Sequence, residues 1–155
     1  MVAIISELEL KEIYDRDFHQ WLEITANLLK EKKFSELDLA NLIIEIEAMG
    51  KNNQRELTSR LIILIMHLLK WKYQPQKQSK SRLKTINEQR LQLELLLEDN
   101  PSLKNQILDI SDKCYSKARK MASQETTLNL TVFPSDNPFI ITEILDSDFF
   151  PENKQ

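Results

Sequence analysis

Leu39, Ile43, Ile46, Gly50, Asn53, Leu57, Leu61, Leu64, Leu68 and Trp71 follow one another at three- and four-residue steps. Nine such steps average about 3.6 residues, the α-helical period, so these mostly apolar positions share one helix face. Few folds accommodate a face of that length. The phase is kept through Gly50, which predicts one long helix or two collinear ones, with a C-cap at Gly50 as the alternative. Ser35 or Asp38 is the expected N-cap. Gln74-Pro75 is the expected end, because proline lacks the amide hydrogen a helix interior needs and disfavours helical geometry in the residue before it. Within the pattern, LIILIMHLL from Leu61 to Leu69 is apolar almost all round, which predicts Leu57 to Trp71 as the central, most buried part of the protein, with Leu61, Leu64 and Leu68 in the core.

The rest of the chain points to the same class. Gly50 is the only glycine in 155 residues, and sheets and hairpins need glycine far more than helices do. From Asp15, the residues Phe18, Trp21, Leu22, Thr25, Leu28 and Leu29 form an apolar stripe behind the capping carboxylates Asp15 and Asp17. A further helix is expected from Ser81 or from Thr85, which forms a capping-box pattern with Glu88. Another is expected after Ser102. The last stretch, rich in proline and phenylalanine, reads as a strap with a short helix at Ile140 to Leu145. The expected architecture is all-α: a compact antiparallel bundle of about four main helices with a C-terminal strap. A single domain over residues 14–151 would follow an arm over residues 1–13, loosely docked or disordered, where no clear period appears. Cys114 is the only cysteine, so no intrachain disulfide forms and no cysteine-based zinc site is expected. Glu7 and Glu9 interrupt the start of the chain where a secretory signal needs an unbroken apolar core, and no apolar run approaches a membrane span. A cytoplasmic protein is expected.

Two polar features stand out from this frame. Glu56, Arg60, His67 and Lys70 form a narrow polar stripe on the long helix, with Glu47 as a further acid within reach. Such a stripe builds either a network that fixes helix register or a pocket in which His67 exchanges protons beside Arg60 and Lys70. The network is the expected form, since no serine or cysteine nucleophile sits at a recognisable motif with the histidine. The second feature is basic: Lys70, Lys72, Lys77, Lys80, Arg82, Lys84 and Arg90 face only Glu88 between residues 70 and 90. That segment carries +6 within a chain of net charge -3, leaving -9 for the remainder. It suits an acidic protein surface, or phosphates with Trp71 and Tyr73 as stacking faces. No recognised nucleic-acid motif accompanies it, and the acidic total favours protein.

Five stretches together resemble a known family: YDRDFHQWL, FSELDLANLIIEIEAMG, SRLIILIMHLLKWKYQP, TINEQR and FPSDNPF. They are similar, in order, to the bacterial proteins catalogued as domain of unknown function 29. The resemblance implies a small, mostly helical protein and no particular activity. The family pattern would place acids at 44, 47 and 48, a plausible metal-ligand set, whereas Ile44 and Ala48 here leave only Glu47. Arg82 stands where a tryptophan is common. Glu45 and Glu47, two residues apart, point in nearly opposite directions on a helix and cannot share a metal. His19 and His67 form no recognisable ligand pair. No catalytic residue, metal or cofactor is therefore assigned. The expected role is a non-catalytic interaction module whose partner is another protein with an acidic surface, or a second copy, and not a membrane. A nucleic-acid- or nucleotide-associated protein using Lys70 to Arg90 is the alternative. A hydrolase built on Glu47, Arg60 and His67 ranks third.

Overall fold

The long apolar period is realised as a single helix of 35 residues, Leu39–Tyr73. Asp38 begins it: its carboxylate accepts from the Asn41 amide at 3.4 Å and from the Asn41 side chain at 2.6 Å. Gly50 is helical and caps nothing. The helix ends at Tyr73 because Gln74 leaves helical geometry (φ -134°, ψ 61°) ahead of Pro75. The computed structural model describes residues 5–152, and every regular element among them is helical. In chain order these are α1 (Glu7–Arg16), α2 (Phe18–Lys30), α3 (Leu39–Tyr73), α4 (Lys80–Asp99), α5 (Lys104–Thr126) and α6 (Ile141–Leu145), joined by short 3-10 turns. The all-α class expected from the glycine-poor composition is the one observed.

Contacts divide the chain into two compact units, Met1–Asn52 and Asn53–Gln155. The first holds α1, α2 and the start of α3. The arm expected over residues 1–13 is helical from Glu7 onward. Ser6 and Glu9 explain why: the Ser6 hydroxyl accepts from the Glu9 amide at 3.2 Å and the Glu9 carboxylate accepts from the Ser6 amide at 2.9 Å. That reciprocal box satisfies two amides that a helix start leaves free. Residues 1–4 of the expected arm lie outside the described residues. Asp17 then separates α1 from α2, leaving helical geometry (φ -145°, ψ 84°) and capping α2 by accepting from the Gln20 amide at 3.0 Å. Leu10, Ile13 and Trp21 form the buried centre, with Tyr14, Ile24, Leu28 and Leu42 packed around them.

The second unit contains the larger core. Leu57, Leu61, Leu64, Ile65, Leu68 and Leu69 of α3 are fully buried against Ile86 and Leu93 of α4 and against Cys114, Ala118 and Ala122 of α5. Burial raises the pKa of the Cys114 thiol and leaves it a small apolar core group. The cap of α4 is Ser79, whose hydroxyl accepts from the Arg82 amide at 3.2 Å, and not Ser81 or Thr85. Thr85 instead donates to the Ser81 carbonyl inside the helix. Ser102 is taken into a 3-10 turn by Pro101 and caps nothing. After Thr127, left-handed at φ 61°, the expected strap follows, burying Phe133, Phe139 and Ile144 and containing α6 where the sequence placed a short helix.

Side chains of α4 and α5, Ser123 at the start and then Tyr115, Arg119 and Arg90, pin the strap through its backbone. The Tyr115 hydroxyl donates to the Pro134 carbonyl at 2.5 Å, and burial pushes its pKa up to about 12. Arg119 donates to the carbonyls of Phe133 and Leu130. Arg90 donates to those of Ile144 at 2.9 Å and Glu143 at 3.2 Å, with its guanidinium 5.3 Å from the Phe150 ring centre. An irregular segment has carbonyls that no helix or sheet ladder satisfies, and planar cationic donors reach them well.

Candidate functional site

The polar stripe of α3 resolves into separate pairings. Arg60 donates from Nε to Glu56 at 2.9 Å, one turn earlier, and from Nη1 to Gln89 of α4 at 3.4 Å. His67 Nδ1 lies 2.9 Å from the Ile63 carbonyl, also one turn earlier. That contact sets the tautomer, with the proton on Nδ1 donated to the carbonyl. Burial lowers the His67 pKa, Lys70 and Arg82 lower it further, and the Ile63 bond and Glu125 oppose them. Lys70 reaches Glu125 of α5 at 2.8 Å, with only 13% of its side chain exposed. Glu47 is exposed and stands apart from all three pairings. Among the described residues no three of His, Cys, Asp and Glu gather closely enough to hold a metal ion.

The basic segment divides in the same way. Arg82 donates to the carbonyls of Lys70 and Gln74 and, at 2.5 Å, to the Gln74 side chain. It therefore braces the end of α3, adding a second donor to carbonyls that already accept from the Gln74 and Lys77 amides. Arg90 is 4% exposed and holds the strap. Lys70 is paired. What faces solvent is Lys77, Lys80 and Lys84, with Lys72 half-buried near the Tyr73 ring. The aromatic faces that could have stacked on bases are occupied: Trp71 packs on Phe150 at 5.2 Å and Tyr73 on Phe133 at 5.5 Å. Along α4 runs a groove of about 680 Å³ whose walls include Arg90, Glu94, Glu98 and Lys104 with Leu91 and Leu97. It carries charges of both signs, and His67 is not part of its wall.

The amino-terminal half of α3 supplies a feature that periodicity alone did not reveal. Leu39, Ile43, Ile46 and Met49 are 55%, 53%, 58% and 59% exposed, although the first three belong to the face that is fully buried from Leu57 onward. In the first unit the side of α3 turned inward carries Asp38, Leu42 and Glu45 instead, and Tyr14 fixes that orientation by donating to Glu45 at 2.5 Å. At about 100° per residue, the inward positions lie roughly a quarter-turn from the centre of the stripe Leu39–Ile43–Ile46–Gly50. Large apolar side chains at consecutive turns of a water-facing helix form one contiguous patch. The sequence carried no signal of this, because the side of α3 that meets α1 and α2 is set by a contact 31 residues apart, Tyr14 to Glu45, that only folding brings about.

Fold and surface together define an all-helical protein of two units with an uncovered apolar helix face and an exposed set of lysines. Residues 13–150 match the family model described as Domain of unknown function DUF29, and the chain belongs to that family. No curated protein matches it, and no solved structure does. Among the described residues no helix is long and apolar enough to cross a membrane.

Proposed function

We propose that this chain is a non-catalytic, cytoplasmic interaction module that engages a protein partner through the exposed half of α3. One observation carries the reading: Leu39, Ile43, Ile46 and Met49 are each more than half exposed on successive turns of one helix. Each offers on the order of 100 Å² of apolar area, so the patch approaches about 400 Å², the size at which exposed apolar surface on a monomer is commonly functional. Lys77, Lys80 and Lys84 favour a second contact of different chemistry, with an acidic protein surface. Nucleic acid is the weaker match there, because Trp71 and Tyr73 are engaged in ring contacts within the chain and the usual stacking platform is spent. The pairings of Arg60, His67 and Lys70 leave the hydrolase reading without a nucleophile and base held together.

The test is a photo-crosslinking residue placed at Ile43 and, as control, at exposed Lys113 of α5, in living cells. The reading expects protein adducts from position 43. A chain that stays free of adducts at 43 would remove it.

A further inference from the structure

We propose that the occupant of the exposed α3 stripe is a second copy of this chain, docked antiparallel about a two-fold axis between Ile43 and Ile46. This rests on the interaction reading above and names its partner.

The first observation is Gly50, the only glycine of the chain, which sits on the stripe inside a helix. Its φ is not positive, so no unusual backbone conformation requires it. A Cβ built there meets nothing within 4 Å, so no neighbour within the chain requires it either. Glycine weakens a helix interior relative to alanine. A glycine unexplained by its own chain, on an exposed apolar face, fits close approach by another chain.

The second observation is the order of side chains along the stripe. Leu39, Ile43, Ile46 and Gly50 are spaced by four, three and four residues, the alternation of a helix-pairing seam. In an antiparallel pair related by a two-fold axis, the first position of this run lies against the last of the other copy and the second against the third. Leu39 then projects over Gly50 of the copy, and Ile43 packs on Ile46 of the copy. Each contact occurs twice, as an isologous interface demands. The bulky end of the stripe meets the end that lacks a side chain. A parallel pair would instead set Leu39 on Leu39 and leave a gap between the two glycines.

The helix dipoles favour the same orientation, since they oppose one another in the antiparallel arrangement and lie head to head in the parallel one. Leu39, Ile43 and Ile46 offer about 300 Å² of apolar area per copy, so two stripes with their polar margins lie at the low end of specific interfaces, about 1,000 Å² in total. The expected dimer is therefore weak, with a Kd on the order of 1 to 100 μM.

Sedimentation equilibrium of the purified full chain across that range tests the proposal. The wild type should pass from monomer to dimer, with no larger species. Ile43→Ser combined with Ile46→Ser should weaken association at least tenfold while circular dichroism and Tm stay unchanged, since both side chains are exposed. Gly50→Ala gives a signature that a merely structural role cannot: Tm rises because the helix is stabilised, yet association weakens because the new Cβ meets Leu39 of the copy. A wild-type monomer at about 100 μM overturns the proposal, as does a dimer that all three substitutions leave intact. The interaction reading fails separately, by the absence of any adduct at position 43. Adducts there of a mass other than twice the chain, from a protein that is monomeric when pure, would keep that reading and discard the second copy.

Discussion

The two halves of α3 share one helical period and opposite fates. From Leu57 to Leu69 the apolar positions are buried by α4 and α5, whereas from Leu39 to Met49 they remain more than half exposed. The phase never slips between the two stretches, and what differs within α3 is width: Leu61 to Leu69 is apolar almost all round, whereas Leu39 to Met49 is interrupted by Glu45 and Glu47. The difference in burial comes from what surrounds them. In the second unit two long helices and a strap converge on α3. In the first, α1 and α2 are turned toward the Leu42 and Glu45 side. Hydrophobic periodicity thus reports that a helix has a face to bury, and the number and reach of neighbouring elements decide whether the same chain buries it.

Substitution along the face gives the largest contrast. Leu64→Ala empties a fully buried site and should cost about 2 to 5 kcal/mol in chemical denaturation. Ile43→Ala, on the same stripe, should change the stability of the isolated chain by no more than about 0.5 kcal/mol. Equal losses at the two positions would abolish the distinction between the halves.

Much of the fold was legible because it follows from local chemistry. The length of α3, its end at Gln74-Pro75, the core residues Leu61, Leu64 and Leu68, and the short helix at Ile140 each had a sequence signal of known mechanism. The helix at Glu7 had one too, the Ser6-x-x-Glu9 capping pair, in a stretch whose weak periodicity hid it. The fates of the charged side chains were less legible. Arg82 and Arg90 sit among lysines and look the same in the sequence, yet both bond backbone carbonyls brought to them only by folding. His67 belongs to the polar stripe by spacing but takes the carbonyl one turn back rather than Arg60. Helical phase tells which residues share a side, and tertiary contacts choose among the partners there.

The pinning of the strap gives the next largest effect. Arg90→Met keeps the apolar stem and removes the buried bond to the Ile144 carbonyl and the bond to Glu143, whose carbonyl still accepts from the Asp146 amide. The expected loss is about 1 to 3 kcal/mol. Faster amide exchange near residues 143–150 should accompany it, with none gained in α1 and α2. Spread of the effect into those helices would show that the two units unfold as one.

Acidification acts on the buried half through His67. Its pKa lies below the ordinary 6.5 in the folded protein, chiefly because burial disfavours the charged ring. The unfolded chain therefore binds the proton more readily. The stability held by the neutral histidine is complete well above pH 6.5 and is lost as pH falls through that value toward the folded pKa. Between about pH 7.5 and 5.5 the wild type should lose Tm, and His67→Gln, which can still donate to the Ile63 carbonyl, should lose less. Parallel profiles for the two proteins would mean that another group carries the dependence.

The smallest expected effect tests whether the lysines belong to the surface or to the frame. Lys77, Lys80 and Lys84 are exposed, and each stands apart from the bonds that brace α3 and hold the strap. Replacing all three by serine should move stability by no more than about 0.5 kcal/mol, because exposed charges contribute little individually and the substitutions relieve mutual repulsion. Arg82 has to remain in such a variant. Arg82→Ser alone removes its bonds to the buried Gln74 side chain and to the carbonyls of Lys70 and Gln74 and loosens the end of α3, so it should destabilise measurably while altering net charge by a single unit. The same ordering in thermal melts at low and at high salt would separate the roles, since screening weakens the influence of the lysines but leaves the geometry of the Arg82 bonds in place. If the triple lysine variant melted lower than Arg82→Ser, the cationic segment would belong to the folded frame, and the surface proposed for an acidic partner would shrink to nothing.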